Sequence, residues 1–407
     1  MKRLSIVLLL LCPLSAQVSF RQLGELTPST RSTGDWFGLS LAIDANTVVV
    51  TDFDPNFQTS GTVYVYVKPQ SGWTSMTETA TLLPSDGGPF FGSSVAISGN
   101  TIVVGAANTS NFAPATQTPG AAYVFVRPAG GWSGTLNESA KLIASDGVNG
   151  DAFGNSVSID HSTIAVGAFF ANNFAGRAYV FSGGGSSWTQ AAELTASDGG
   201  LLSYLAGSVT VRGNTVVAGS IGQNNFQGAV YVFVEPSTGW TTMTQTAELT
   251  LSSGKSGDNL GASVALAGNT IAAGVPGSSN SFGAACVYVE PASGWANASA
   301  FNAALRAPNA NQFDSFGSSL SFAPAGQALV VGAPGINVGS NLEQGAAYLY
   351  LRPKAGWKST KFANAEFLAS DGAQADLMGS SVGIAGTTII AGAPKSSSPG
   401  ATYVFGP

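Results

Sequence analysis

Residues 91–106 read FGSSVAISGNTIVVGA, followed by GAAYVFV at 120–126 and by Gly131-Trp132. Ser94-Val95-Ala96-Ile97 alternates as an inner strand does, and Gly99-Asn100 supplies a two-residue hairpin turn. Thr101-Ile102-Val103-Val104 is a second strand, and Ala121–Val126 is a third. After Pro128 and the Gly131-Trp132 corner, Ser139-Ala140-Lys141-Leu142-Ile143 makes a fourth. The middle runs are almost continuously apolar, as they must be when a sheet lies between two others and buries both faces. Four strands closed into one such unit make a propeller blade.

The unit is written seven times. Its opening glycine falls at Gly38, Gly92, Gly154, Gly207, Gly261, Gly317 and Gly379, a spacing of 53 to 62 residues. That period predicts an all-β fold, a seven-bladed β-propeller of four-stranded blades. The seventh copy stops at Gly400–Pro407, after its third strand. The run Phe20-Arg21-Gln22-Leu23-Gly24-Glu25-Leu26-Thr27 matches fourth-strand runs such as Thr246-Ala247-Glu248-Leu249-Thr250, so the N-terminal segment is expected to complete the last blade and close the ring. Pro69, Pro128, Pro236, Pro291 and Pro353 end third strands by removing a ladder donor. Trp73, Trp132, Trp188, Trp240, Trp295 and Trp357 follow once per unit at a corner, where packing outweighs sugar stacking as their role.

Residues 1–16 read as a secretory signal: Lys2 and Arg3, the apolar run Leu4 to Leu11, and a small-residue cleavage site at Leu14-Ser15-Ala16. The run falls short of the roughly 20 apolar residues that span a bilayer. Residues 17–407 are then one exported propeller domain. Charged residues make up only 9% of the 407-residue chain. Without Lys2 and Arg3, the 16 basic and 22 acidic residues leave a net charge of −8, which disfavours nucleic acid and anionic lipid as partners. Cys286, in an AACVYV strand, reads as a buried small hydrophobe.

Phe91-Gly92, Val104-Gly105-Ala106, Val331-Gly332-Ala333-Pro334 and the GAAYVF strand together resemble the FG-GAP repeats that build the propeller head of integrin alpha chains. The resemblance covers nearly all of residues 17–407 and implies an exported adhesion or binding module. Calcium-binding members carry an acidic DxDxD-type loop between the first two strands. Here that place holds Ala45-Asn46, Gly99-Asn100, Gly213-Asn214, Gly268-Asn269 or Gly386-Thr387, turns too short to supply six oxygens. The family's calcium sites are therefore not carried over. No cofactor is expected, with room left for one weak surface calcium.

Candidate residues gather on one expected face. Asp35, Asp151, Asp258, Asp314 and Asp376 each stand three residues before an opening glycine, and Asp86, Asp146, Asp198 and Asp371 lie in Ser-Asp-Gly turns. An acidic circle gathers a cation, yet Asp is also the ordinary turn-capping side chain, and even recurrence favours that role. Asp52-x-Asp54-x-Asn56 has the spacing of half a calcium loop, but Phe57 replaces the needed glycine and Val63 the bidentate acid. Asn-Phe pairs recur at Asn56-Phe57, Asn111-Phe112, Asn173-Phe174 and Asn225-Phe226, as loop anchors or as an aromatic rim. The lone histidine, His161, falls at a hairpin turn, which argues against histidine-based catalysis or zinc binding. The reading is a non-enzymatic extracellular module that engages a protein or glycan through this face. The alternative is a polysaccharide-acting enzyme with paired carboxylates about 5 to 10 Å apart.

Overall fold

The computed structural model describes residues 19–30, 35–54, 60–88, 90–108, 118–395 and 400–407. The proposed signal segment, Asn56 and Asn111 lie outside them. Seven antiparallel sheets form a ring, and the first strands of neighbouring blades, among them Trp36–Asp44, Phe91–Ser98, Phe153–Asp160 and Ser381–Ala385, touch in cyclic order around the axis. Within blade 2, Phe91–Ser98, Thr101–Ala106, Ala121–Val126 and Ala140–Leu142 run from axis to rim. Seven hydrophobic clusters each draw on two adjacent blades, so apolar burial happens between blades. This is why both faces of the middle strands are apolar.

The last blade closes as expected. Arg21–Leu26 pairs antiparallel with Ala401–Gly406, from Arg21 opposite Gly406 to Leu26 opposite Thr402. A bulge between Gln22 and Gly24 bends it, and a Cβ on Gly24 would lie 2.2 Å from the Thr74 carbonyl carbon of blade 1. Closure is tight across the seam.

The FG and GA motifs meet at one joint. In five blades the glycine at the end of the second strand faces the opening glycine of the next blade: a Cβ on Gly105 would lie 1.9 Å from the Gly154 carbonyl oxygen, and one on Gly392 2.1 Å from that of Gly38. The serine two residues after an opening glycine donates to the same carbonyl, as in Ser94 Oγ to Gly154 O (2.8 Å) and Ser381 Oγ to Gly38 O (2.7 Å). Backbone contact and hydrogen bond thus lock each blade to its neighbour. Blade 1 departs, carrying Thr51-Asp52 where four blades carry Gly-Ala, blade 4 Gly219-Ser220 and blade 5 Gly274-Val275, and the nearest atom to a Cβ on Gly92 is Thr51 Cβ at 3.6 Å.

Blade 4 corrects the sequence reading. Leu205 pairs with Ser220 as Phe153 pairs with Ala168, so Ala206, at φ 67°, and not Gly207, occupies the opening-glycine position. Beyond the expected four strands, the chain after the tryptophan corner runs parallel to the outer strand of the previous blade. Gly134–Leu136 adds to Ala80–Leu82, and single bridges join Leu26 to Met76, Leu249 to Ala298 and Leu305 to Thr360. Trp73, Trp132, Trp240, Trp295 and Trp357 are buried at these corners, supporting a packing role; Trp188, in a direct hairpin, is half-buried.

Candidate binding face

The loops between second and third strands and the connections entering each blade share one face of the ring. At its centre a cavity of about 380 Å³ opens on the axis, lined by Phe53, Ala107, Phe169, Ile221 and Ala262 with Ser93, Asn155 and Gly207. Its side-chain polar groups are engaged internally. Ser93 Oγ donates to Gly154 O (3.2 Å) and accepts from Ala107 N (3.1 Å). Asn155 Nδ2 donates to Gly207 O (3.1 Å), and its Oδ1 accepts from Phe169 N (3.3 Å). The result is an apolar cup.

From Phe169 an aromatic cluster leads outward over blades 3 and 4. Ring centroids lie 3.9 Å apart for Phe169 and Phe170, 5.1 Å for Phe170 and Phe174, 6.1 Å for Phe174 and Tyr204, and 6.4 Å for Tyr204 and Phe226. Phe226 is 40% exposed, and neighbouring Leu201 is 74% exposed. The loops beneath have an unusual backbone: Asn172, Asn173 and Phe174 have φ of 53°, 56° and 64°, and Asn224, Asn225 and Phe226 repeat the pattern at 52°, 59° and 62°. Left-handed conformations cost L-residues roughly 1–2 kcal/mol each, with asparagine penalised least. Backbone bonds hold the loops: Phe174 O accepts from Tyr204 N (2.9 Å), and Phe226 O from Gly257 N (2.9 Å). Anchoring is therefore by main chain, and the rings form a surface rim flanked by exposed Asn173 and Asn225.

Four of the five recurring aspartates are turn caps, and the fifth, Asp35, stands beside Asp52. Asp151 Oδ2 accepts from Val148 N (2.8 Å), Asp258 Oδ2 from Lys255 N (2.8 Å), Asp376 Oδ2 from Ala373 N (2.6 Å), and Asp314 likewise from Asn311 N. All four are buried. Burial raises the Asp151 and Asp314 carboxyls, and these backbone bonds partly offset it. In blade 4, Ser203 Oγ takes the same place, accepting from Gly200 N (2.9 Å). Three of the Ser-Asp-Gly carboxylates, each following the outer strand of one blade, bind a third-strand tyrosine of the next blade: Tyr123 OH to Asp86, Tyr179 OH to Asp146 and Tyr231 OH to Asp198.

Asp52 is different. It lies in the strand Thr47–Phe53, paired with Thr62 and Phe37, and is 4% exposed, with Oδ1 lacking any hydrogen-bond partner. Burial, and secondarily the charge of Asp35, push its carboxyl up to about 7. Asp54 is buried one residue beyond the strand. Among the described residues no three His, Cys, Asp or Glu side chains are arranged to hold a metal. In the sequence Asp52 stands out by the Asp52-x-Asp54-x-Asn56 spacing, and Thr51 replaces the glycine of the other blades beside it.

His161 sits at its turn with φ 53°, its side chain 87% exposed beside Asp160. Cys286 is buried, and burial pushes its thiol up to about 12.

A family model described as FG-GAP repeat matches residues 20–66, 76–125, 136–181, 188–233, 243–289 and 363–405, well over half of the chain. Each match starts on or just before the outer strand of one blade and runs through the first three strands of the next, so the sequence repeat and the blade are offset by one strand. No curated protein matches the chain. The chain belongs to the FG-GAP repeat family.

Proposed function

We propose that this FG-GAP repeat protein is an exported, non-enzymatic binding module whose ligand is a protein, docked on the loop face over the axial cup and the aromatic rim of blades 3 and 4. The apolar cup carries this reading. Its polar side chains are already hydrogen-bonded within the fold, so sugar hydroxyls entering it would lose water without gaining partners, at about 1–3 kcal/mol each. Apolar side chains pay no such penalty, and aromatic anchors are typical of the centres of protein interfaces. The strained Asn-Phe loops add support, because backbone strain persists where a surface is held in a set shape. Among the described residues no helix is long and apolar enough to cross a membrane.

Enzymatic action on polysaccharide draws less support, since Asp151, Asp258, Asp314 and Asp376 are tied to their own loops. The test is a random peptide display library panned on the full chain, run beside a glycan array. Selected peptides are expected to share apolar residues and to lose binding at least about tenfold when Ala262→Phe fills the cup or Phe226→Ser removes the rim. Glycan binding abolished by those two changes would overturn the protein assignment. Glycan turnover abolished by Asp35→Asn or Asp151→Asn would establish the enzymatic alternative.

A further inference from the structure

We propose that the opposite mouth of the axis is a second binding site, for a small neutral saccharide. A cavity of about 550 Å³ lies there, within the size range of small-molecule sites. Its apolar wall is mainly aliphatic, built by Ile43, Ile97, Ile159, Leu266 and Ile384 from five different blades, with Phe322 from a sixth. Its outer wall is polar and comes from the ends of first strands and the turns that follow them: Asp44, Ser98, Asn100, Asp160, His161 and Arg212.

Hydrogen bonding at this rim differs in kind from that of the loop-face cup. In blades 1 to 3 the last residue of the first strand accepts from the turn of the next blade: Asp44 Oδ2 from Gly99 N (2.6 Å), Ser98 Oγ from His161 N (3.2 Å) and Asp160 Oδ2 from Gly213 N (2.7 Å). Arg212 holds the same position in blade 4 but has no acceptor to offer. Its side chain instead reaches to blade 6, where Nη2 donates to Pro324 O (3.3 Å), and it forms no ion pair among the described residues. A guanidinium has five N–H donors and an ionised carboxylate about four acceptor positions. Arg212 thus keeps donors, and Asp44 keeps acceptors, above an aliphatic floor.

The ligand class follows from the wall's mixed chemistry. A simple anion meets the like charges of Asp44 and Asp160, and a simple cation meets Arg212. An apolar group covers these charges without partners, which costs desolvation. A neutral pyranose fits all three features, because each hydroxyl both donates and accepts while the C–H face of the ring rests on the aliphatic wall. This site is independent of the loop-face reading, since the two mouths share no lining residue.

The test is saturation-transfer NMR on the full chain with glucose, galactose, mannose, N-acetylglucosamine, cellobiose and maltose, beside glucuronate. At least one neutral sugar is expected to receive transfer, reduced at least about tenfold in affinity by Arg212→Leu and by Asn100→Leu, and unchanged by Phe362→Ser on the outer rim. Arg212→Lys, which keeps the charge but loses the planar fork, serves if Arg212→Leu melts early, and is expected to weaken binding as well. No transfer to any neutral sugar, transfer undiminished in both Leu variants, or stronger binding of glucuronate would each overturn the proposal.

Discussion

Replacing Asp52 by alanine tests whether blade 1 carries a buried carboxyl that the ring does not need. Four other blades place Ala at this position, with Ser220 in blade 4 and Val275 in blade 5, so the substitution installs the commonest residue there without opening a large cavity. Burial and the Asp35 charge raise the carboxyl from 3.8 to about 7 in the folded protein. The folded state therefore binds this proton more tightly than the unfolded chain does, and ionisation costs stability. The cost is absent below the unfolded pKa of 3.8, grows between there and about pH 7, and is fully present above. About three pKa units at 1.36 kcal/mol each correspond to about 4 kcal/mol, of which about 2 to 3 fall between pH 5 and pH 8. Urea unfolding of both proteins at several pH values reads it directly. The Asp52→Ala protein should be the more stable at pH 8, and its advantage should shrink by about 2 to 3 kcal/mol at pH 5. Parallel stability curves would refute the buried-carboxyl reasoning, and a less stable variant at pH 8 would mean that the carboxylate has a favourable partner.

Deleting residues 17–29 removes the outermost strand of the last blade and the fully buried Leu26, and should lower the melting temperature by many degrees; an unchanged melt would contradict closure through Arg21–Leu26. Gly154→Ala puts a Cβ 2.3 Å from Ala121 O at φ 95°, whereas at Gly92 the nearest atom is 3.6 Å away at φ 92°. Gly92→Ala should therefore cost only backbone strain, about 1–2 kcal/mol, and Gly154→Ala measurably more; equal losses in urea melts would remove the steric account of the joint. Melting curves in excess calcium and in chelator should nearly coincide, because a structural ion at a hundredfold excess over Kd would contribute about 2.7 kcal/mol. A large shift on chelation would restore a metal role, with the Asp52 region the first place to look.

The ring was legible in the sequence because its cause is local and repeated. The turn at Gly99-Asn100, the apolar run Ile102-Val103-Val104 and the surplus strand at Arg21–Leu26 each announce themselves within a few residues. What the sequence hid lies between blades. The Gly105 position requires glycine because of the Gly154 carbonyl in the next blade, and a lone Ala206 filling a glycine position is recognisable only from its pairing. The parallel strand Gly134–Leu136 has no periodic signal, since it borrows its partner from blade 1. For the site, the recurring aspartates were legible as turn caps, because Asx bonds are short-range. The aromatic rim was only half visible: the Asn-Phe repeat was plain, but Tyr204 joins it from another blade's connection. The opposing characters of the two axial mouths depend on which polar groups are already bonded, as with Asn155 on one side and Arg212 on the other, and spacing does not record that.

Hydrogen exchange with a peptide selected on the immobilised protein tests the loop-face claim most directly. Bound peptide should slow exchange in residues 169–176, 202–207 and 221–228, where strained loops and aromatic rings meet the cup, and leave the turns at 98–101 and 159–162 unaffected. Protection confined to those turns or to the outer strands, with the aromatic loops exchanging as in the free protein, would contradict it.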